Sequence, residues 1–208
     1  MTRTTVFWNW FAAHSGFPLG FPQLGARQQR ELLFMMTFHL DAYCEGLCFV
    51  LTHSAARAPA YTLHFSAMGD SGKFDLVRAL VRDAPMLPHW QFVALVQPQF
   101  DLVTLVDGLD SPFVFGDVTI KASTLQFSVL AIAVATQQLS IVVYLPDYPV
   151  GCSPSYLHSL VFIVAQELLG EALLFEHLTC LTVEALPADA TGLPYLYDLP
   201  LFMEALWE

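Results

Sequence analysis

Between Ala122 and Pro146 the chain reads ASTLQFSVLAIAVATQQLSIVVYLP, with no charged residue. Such a stretch can be a membrane span, a buried helix or two strands of a hairpin, and each choice dictates a different protein. A spanning helix needs about twenty predominantly apolar residues. Here Ser123, Thr124, Gln126, Ser128, Thr136, Gln137, Gln138 and Ser140 divide the run, and Val129 to Ala135 is its longest apolar piece. No Lys or Arg follows it to set an inside-positive bias. Leu139, Ile141, Val143 and Leu145 alternate along the second half, and Val, Ile, Phe and Tyr favour strands. The stretch therefore predicts a buried hairpin that turns near Thr136 to Gln138, and not a membrane segment.

The rest of the chain is consistent with a folded domain. Its 208 residues are 55% hydrophobic and 13% charged, with a mean hydropathy of +0.53. That supports a large core and argues against disorder. The net charge of −11 is uneven: ten acids and eight bases lie up to Lys121, then nine acids and no Lys or Arg. This balance argues against binding nucleic acid. The first residues, MTRTTVFWNWF, lack the apolar core and cleavage site of a secretory signal. Cys44, Cys48, Cys152 and Cys180 are too sparse for a disulfide framework and read as reduced thiols. Both features predict a cytoplasmic protein.

In order, Val6 to His14 predicts a short helix with Phe7, Trp10 and Phe11 on one face and Trp8 off it. The loop SGFPLGFPQ follows. Leu24 to Glu45 predicts a longer helix with Leu32, Met35, Met36, His39 and Tyr43 on one side, stopped by Gly46. The period then changes to strands over Leu47 to Thr52 and Tyr61 to Ala67, with HSAARAPA as the loop between them. A helix from about Gly72 to Asp83, capped by Asp70 or Ser71, and a strand from Gln91 to Val96 complete this part. Phe100 to Val106 and Phe113 to Ile120 each read as strands. After the uncharged hairpin, Ser153 and Pro154 start a helix that is apolar nearly all round and runs to about Leu169. A strand over Leu178 to Glu184 and a helical turn over Leu201 to Trp207 end the chain.

The order strand–strand–helix–strand thus occurs twice, and residues 46–97 and 122–185 read as two ββαβ-like halves behind an N-terminal helical segment, 1–45. The expected fold is a single α+β domain, a mainly antiparallel twisted sheet with helices on one face.

Candidate chemistry is sparse. Gly69-Asp70-Ser71-Gly72-Lys73-Phe74 resembles a phosphate loop, but Ala67 stands where the first Gly belongs and Phe74 where Ser or Thr would hold magnesium. As a serine-protease Gly-Asp-Ser-Gly it fails too, because His53 precedes Ser71 too closely. Cys44, Cys48, His53 and His64 do not complete a zinc set, nor do Glu176, His177 and Cys180. No metal or cofactor is predicted. The most usable polar group is a strand face with Thr62, His64 and Ser66, which offers a base without an evident partner.

Several pieces together resemble an uncharacterised bacterial protein family with an N-terminal FWxWF-type aromatic motif. They are Phe7-Trp8-Asn9-Trp10-Phe11, Tyr43-Cys44-Glu45-Gly46-Leu47, Ser66-Ala67-Met68-Gly69-Asp70, the Pro88-His89-Trp90-Gln91-Phe92 run after Ala84-Pro85, and Val143-Tyr144-Leu145-Pro146-Asp147-Tyr148. This chain is more apolar and poorer in Lys than that pattern. The resemblance implies no activity. The expected function is therefore a non-enzymatic protein-interaction domain acting through the aromatic N-terminus, with Trp8 and Trp10 as the patch, or through the acidic C-terminal half. The alternative is a small-molecule binder or modest hydrolase at the face around His64. The apolar surplus also makes a homodimer a candidate state.

Overall fold

The structure, a computed structural model, describes residues 2–16, 24–53 and 61–207. The loops expected over 17–23 and 54–60 lie outside the described residues. The fold is mixed α+β, and its strands form three small sheets where one is expected from the sequence. The chain divides into two compact units, Met1–Val96 and Gln97–Glu208.

In the first unit, α1 (Arg3–His14) and α2 (Ala26–Tyr43) precede β1 (Cys48–His53) and β2 (Tyr61–Ser66). A 3-10 turn, Ser71–Lys73, leads into α3 (Phe74–Arg82), and β3 (Trp90–Ala94) closes the unit. Strand β2 is central, antiparallel to β1 and parallel to β3. The parallel pairing follows from the connection: α3 carries the chain back across the sheet, so β3 must run the same way as β2. Asp70 caps the start, its Oδ1 accepting from Gly72 N at 3.2 Å, and Lys73 pairs with it at 3.0 Å. The phosphate-loop-like stretch is thus a capped helix entry.

One face of this sheet is the core. Leu63 and Phe65 of β2 are buried with Phe74, Val77 and Leu80 of α3 and with Phe7 and Phe11 of α1. Ring contacts tie α1 to it: Phe7 meets Phe65 edge-on at 5.8 Å, and Trp8 meets Phe92 at 4.5 Å. Helix α2 buries Met36, Leu40 and Tyr43, a narrower stripe than the spacing suggests. Gly46, at φ +81, adopts a backbone conformation that side chains disfavour.

In the second unit, α4 (Leu102–Val106) occupies the stretch expected as a strand. Asp101 is the reason: its Oδ1 accepts from Thr104 N at 3.0 Å and its Oδ2 from Thr104 Oγ1, capping a helix where β-branched residues alone favour a strand. A tight hairpin follows, β4 (Phe113–Phe115) and β5 (Val118–Ile120), turned at Gly116 with φ 62. The uncharged stretch forms β6 (Gln126–Ala133) and β7 (Gln138–Leu145), joined by a 3-10 turn over Val134–Thr136 and by Gln137 at φ 53. Then come α5 (Pro154–Leu169), α6 (Glu171–His177), β8 (Leu178–Ala185) and α7 (Leu199–Trp207). Helix α6 is absent from the sequence reading, which ends the preceding helix at Gly170.

Strand β7 is central in this unit too, antiparallel to β6 and parallel to β8, the same arrangement as in the first unit. Ile141, Val143 and Leu145 are buried against Leu157, Val161 and Val164 of α5. Ser153 caps α5, its Oγ accepting from Tyr156 N at 3.3 Å. The expected burial of the whole hairpin holds for β7 but not for β6. Being an edge strand, β6 leaves its distal half exposed.

Among the described residues no single helix is long and apolar enough to cross a membrane. Only the pair α5 and α6 passes jointly by length and composition, and it is bent by 115°.

Candidate functional site

The aromatic N-terminus divides its side chains between core and surface. Thr2 starts α1, its Oγ1 accepting from Thr5 N at 3.2 Å. Spacing places Trp8 off the core face and Trp10 on it, and the structure reverses them. Trp8 is only 4% exposed, and its Nε1–H donates to Leu80 O at 2.8 Å. The proximity of α3 explains the reversal, because its carbonyl satisfies the indole N–H that would otherwise oppose burial. Of the two tryptophans proposed as a patch, Trp8 is thus a core residue and Trp10 lies at the half-exposed edge.

Trp10 turns toward α2. Its ring stacks on His39 at 4.0 Å between centroids and 18° between planes, and His14 stacks less closely at 5.5 Å. His14 Nδ1 donates to Trp10 O at 2.8 Å, which holds that ring at the helix end. Burial beneath the indole lowers the pKa of His39, and the nearby His14 lowers it further. The His39 ring is therefore neutral at physiological pH.

Beside this stack lies a cleft of about 290 Å³ lined by Trp10, His14, Gln28, Glu31, Leu32 and Met35. Its walls are mostly apolar, and an exposed Arg27–Glu31 pair at 2.8 Å sits at the Glu31 side. Next to it, α2 presents Phe34 at 67% and Phe38 at 57% exposure, their rings stacked at 6.4 Å one turn apart. Leu33 and Met35 are exposed as well. Phe38 also meets the His39 ring edge-on at 5.3 Å, which links the ridge to the stack. The first unit carries seven Lys and Arg against six Asp and Glu, so its own net charge is small. The sequence reading misses Leu33, Phe34 and Phe38. Their signal is the run Leu32-Leu33-Phe34-Met35-Met36, more apolar than a single buried stripe requires.

The face around His64 is brought together as expected but is differently equipped. Thr62, His64 and Ser66 lie on one side of β2, opposite Thr52, Val50 and Cys48 of β1, with Gln91 and Val93 of β3 beside Thr62 and His64. None of these register partners is a carboxylate. His64 is half-buried, its Nδ1 has no hydrogen-bond partner, and desolvation lowers its pKa. Ser66 is buried, and its hydroxyl accepts from Met68 N at 2.9 Å, shaping a turn in which Met68 has φ 53. It therefore serves the backbone. The arrangement supplies a neutral base with no acid to orient it.

The second unit has one base, Lys121, against thirteen acids. Lys121 Nζ donates to Gly108 O at 2.5 Å, and the buried Asp110 accepts from Ser123 N at 3.1 Å through Oδ2. Together they brace the loop after α4 against the turn over Ala122–Thr124. Clefts of about 410 and 400 Å³ flank Lys121, but the lysine's role in the brace accounts for its position. Among the described residues no three His, Cys, Asp or Glu side chains gather as metal ligands.

No family model, no curated protein and no solved structure matches this chain.

Proposed function

We propose that the protein is a protein-interaction domain whose contact surface is the ridge and cleft formed by α1 and α2, and that its partner presents an amphipathic helix. The observation that carries this reading is the pair Phe34 and Phe38, stacked, exposed and contiguous with the Trp10 cleft. Two phenylalanines one turn apart form a ridge of the kind that packs between the side chains of a second helix. The adjoining cleft would take one large apolar anchor, and a rigid tryptophan wall suits such a hot spot. With no charged side chain among Trp10, Phe34, Met35 and Phe38, association through them would rest on apolar burial and depend little on salt. The reading replaces the Trp8–Trp10 patch with Trp10, Phe34, Met35 and Phe38.

The test is a binding comparison between the wild-type protein and Phe34→Ser/Phe38→Ser. Both positions are exposed, so the variant should keep its fold and melting temperature. A partner that binds the wild-type chain at low and high salt and loses at least tenfold in affinity for the variant supports the proposal. Unchanged affinity overturns it.

A second reading has one observation in its favour. The buried Nδ1 of His64 has no partner, which suits a small ligand able to donate or share a hydrogen bond there. A ligand that shifts the His64 ring resonances in the wild-type protein and no longer binds His64→Phe would be its signature.

A further inference from the structure

We infer that the cleft shared by Lys121, Asp107 and Tyr197 binds a small zwitterion, a molecule of amino-acid or dipeptide size with one carboxylate and one ammonium. The cleft lies wholly within the second unit and measures about 400 Å³, in the range of small-ligand sites.

Its walls are already formed. On the α4 side, Asp107 N donates to Val103 O at 2.9 Å and Leu109 N to Thr104 O at 2.8 Å. The brace of Lys121 on Gly108 O and of Ser123 N on Asp110 fixes the turn that follows. On the other side, Tyr195 forms an antiparallel bridge with Gln126, and Leu196 N donates to Leu125 O at 2.8 Å. Leu196 is buried, which anchors the residues on either side of it. The rings of Tyr195 and Tyr197 stack with centroids 5.1 Å apart and planes 8° from parallel. A ligand entering this cleft has little protein to order, which favours binding.

The charge pattern selects the ligand. The brace uses one of the three N–H groups of the Lys121 ammonium, and no other acceptor bonds it among the described residues. The remaining donors suit a carboxylate. Asp107 lines the same cleft, is exposed, and joins no ion pair among the described residues. A simple anion meets the repulsion of thirteen acids across the unit, and a simple cation meets Lys121 inside the cleft. A molecule carrying both charges escapes both penalties. Its carboxylate answers Lys121 and its ammonium answers Asp107, with a tyrosine face as a further partner for the ammonium. Gln126, also in the wall, adds an amide that can donate to and accept from a peptide group. The neighbouring cleft of about 410 Å³ shares Lys121, Thr124 and Pro146 but has no aromatic or amide side chain in its lining, so the first is the better site.

Titration of the full chain with glycyl-leucine, followed through assigned backbone amide resonances, tests the inference. The expected result is a saturable shift of the Ser123, Thr124, Gln126 and Tyr197 amides with a dissociation constant of about 1 mM. N-acetylglycyl-leucine lacks the ammonium and glycyl-leucinamide lacks the carboxylate, and each should bind at least about fivefold more weakly. Asp107→Asn, at an exposed position, should keep the melting temperature and lose about the same factor for glycyl-leucine, but nothing for the acetylated form. Phe34→Ser/Phe38→Ser should leave the titration unchanged, which separates this site from the α1–α2 surface. No saturable shift at these amides up to about 10 mM overturns the inference. So does equal binding of either blocked form, or an affinity for glycyl-leucine that Asp107→Asn does not alter.

Discussion

Trp10 and His39, on neighbouring helices, stack with centroids 4.0 Å apart and planes 18° from parallel. The contact ties the surface cleft to the protonation state of one imidazole. Desolvation first, and the charge of His14 second, lower the His39 pKa from its ordinary 6.5. A base whose pKa is lower in the folded state than in the unfolded chain stabilises the fold above the unfolded value, and loses that contribution as pH falls through the folded value. His64 acts in the same direction through desolvation alone. The urea midpoint should therefore fall between about pH 7.5 and pH 5.5, and His39→Gln should reduce that dependence. Proton NMR should place the His39 titration below that of an exposed histidine; a titration at or above 6.5 would contradict the stack.

The two tryptophans should behave differently in equilibrium unfolding. Trp8→Phe removes a buried donor and leaves Leu80 O without its 2.8 Å partner, at a cost of about 1–2 kcal/mol. Trp10→Phe keeps an aromatic ring at a half-exposed site and should cost less than about 0.5 kcal/mol. Equal costs, measured by urea denaturation, would mean that the division between core and surface is wrong.

That division marks the limit of what was legible in the sequence. The period of each segment identified the strand pairs β1–β2 and β6–β7 and the Ser153 cap, because these depend on local spacing and on residues with strong positional preferences. The Trp8–Trp10 reversal depends on a carbonyl contributed by Leu80, seventy-two positions away, and no helical wheel contains that information. The α4 helix was hidden because strand-favouring side chains outweighed one capping aspartate in the pattern. The exposed ridge at Phe34 and Phe38 was masked by the assumption that apolar residues in a long helix face inward. Edge position, likewise, is a property of the whole sheet, so the exposure of Leu130 and Ile132 could not be read from their alternation.

Glu167 on α5 provides a pH test of opposite sign. Partial burial raises its pKa above the ordinary carboxylate value. A carboxyl group with a raised folded pKa destabilises the fold as pH rises from the unfolded value through the folded one. Glu167→Gln should therefore raise the melting temperature near pH 7 and have little effect near pH 4, where the native side chain is already protonated. A variant no more stable than wild type at pH 7 would show that the carboxylate is adequately solvated.

Gly46 should be intolerant of a side chain. At φ +81 an added Cβ would lie 3.2 Å from Lys73 Nζ, and the left-handed backbone itself costs about 1–2 kcal/mol for an L-residue. Gly46→Ala should lower stability by about that amount in chemical denaturation. The flexible lysine can move aside, so the backbone term dominates. No loss would place Gly46 in an ordinary turn.

Site-specific photocrosslinking tests the central claim most directly. A benzophenone side chain placed at Phe38, and separately at the exposed Val114 as a control, would be irradiated with candidate partners at high salt. The α1–α2 account predicts a discrete adduct from position 38 that disappears when Trp10→Ala is added, and none from position 114. Adducts of equal yield at both positions, or an adduct from position 38 that is indifferent to Trp10→Ala, would contradict it.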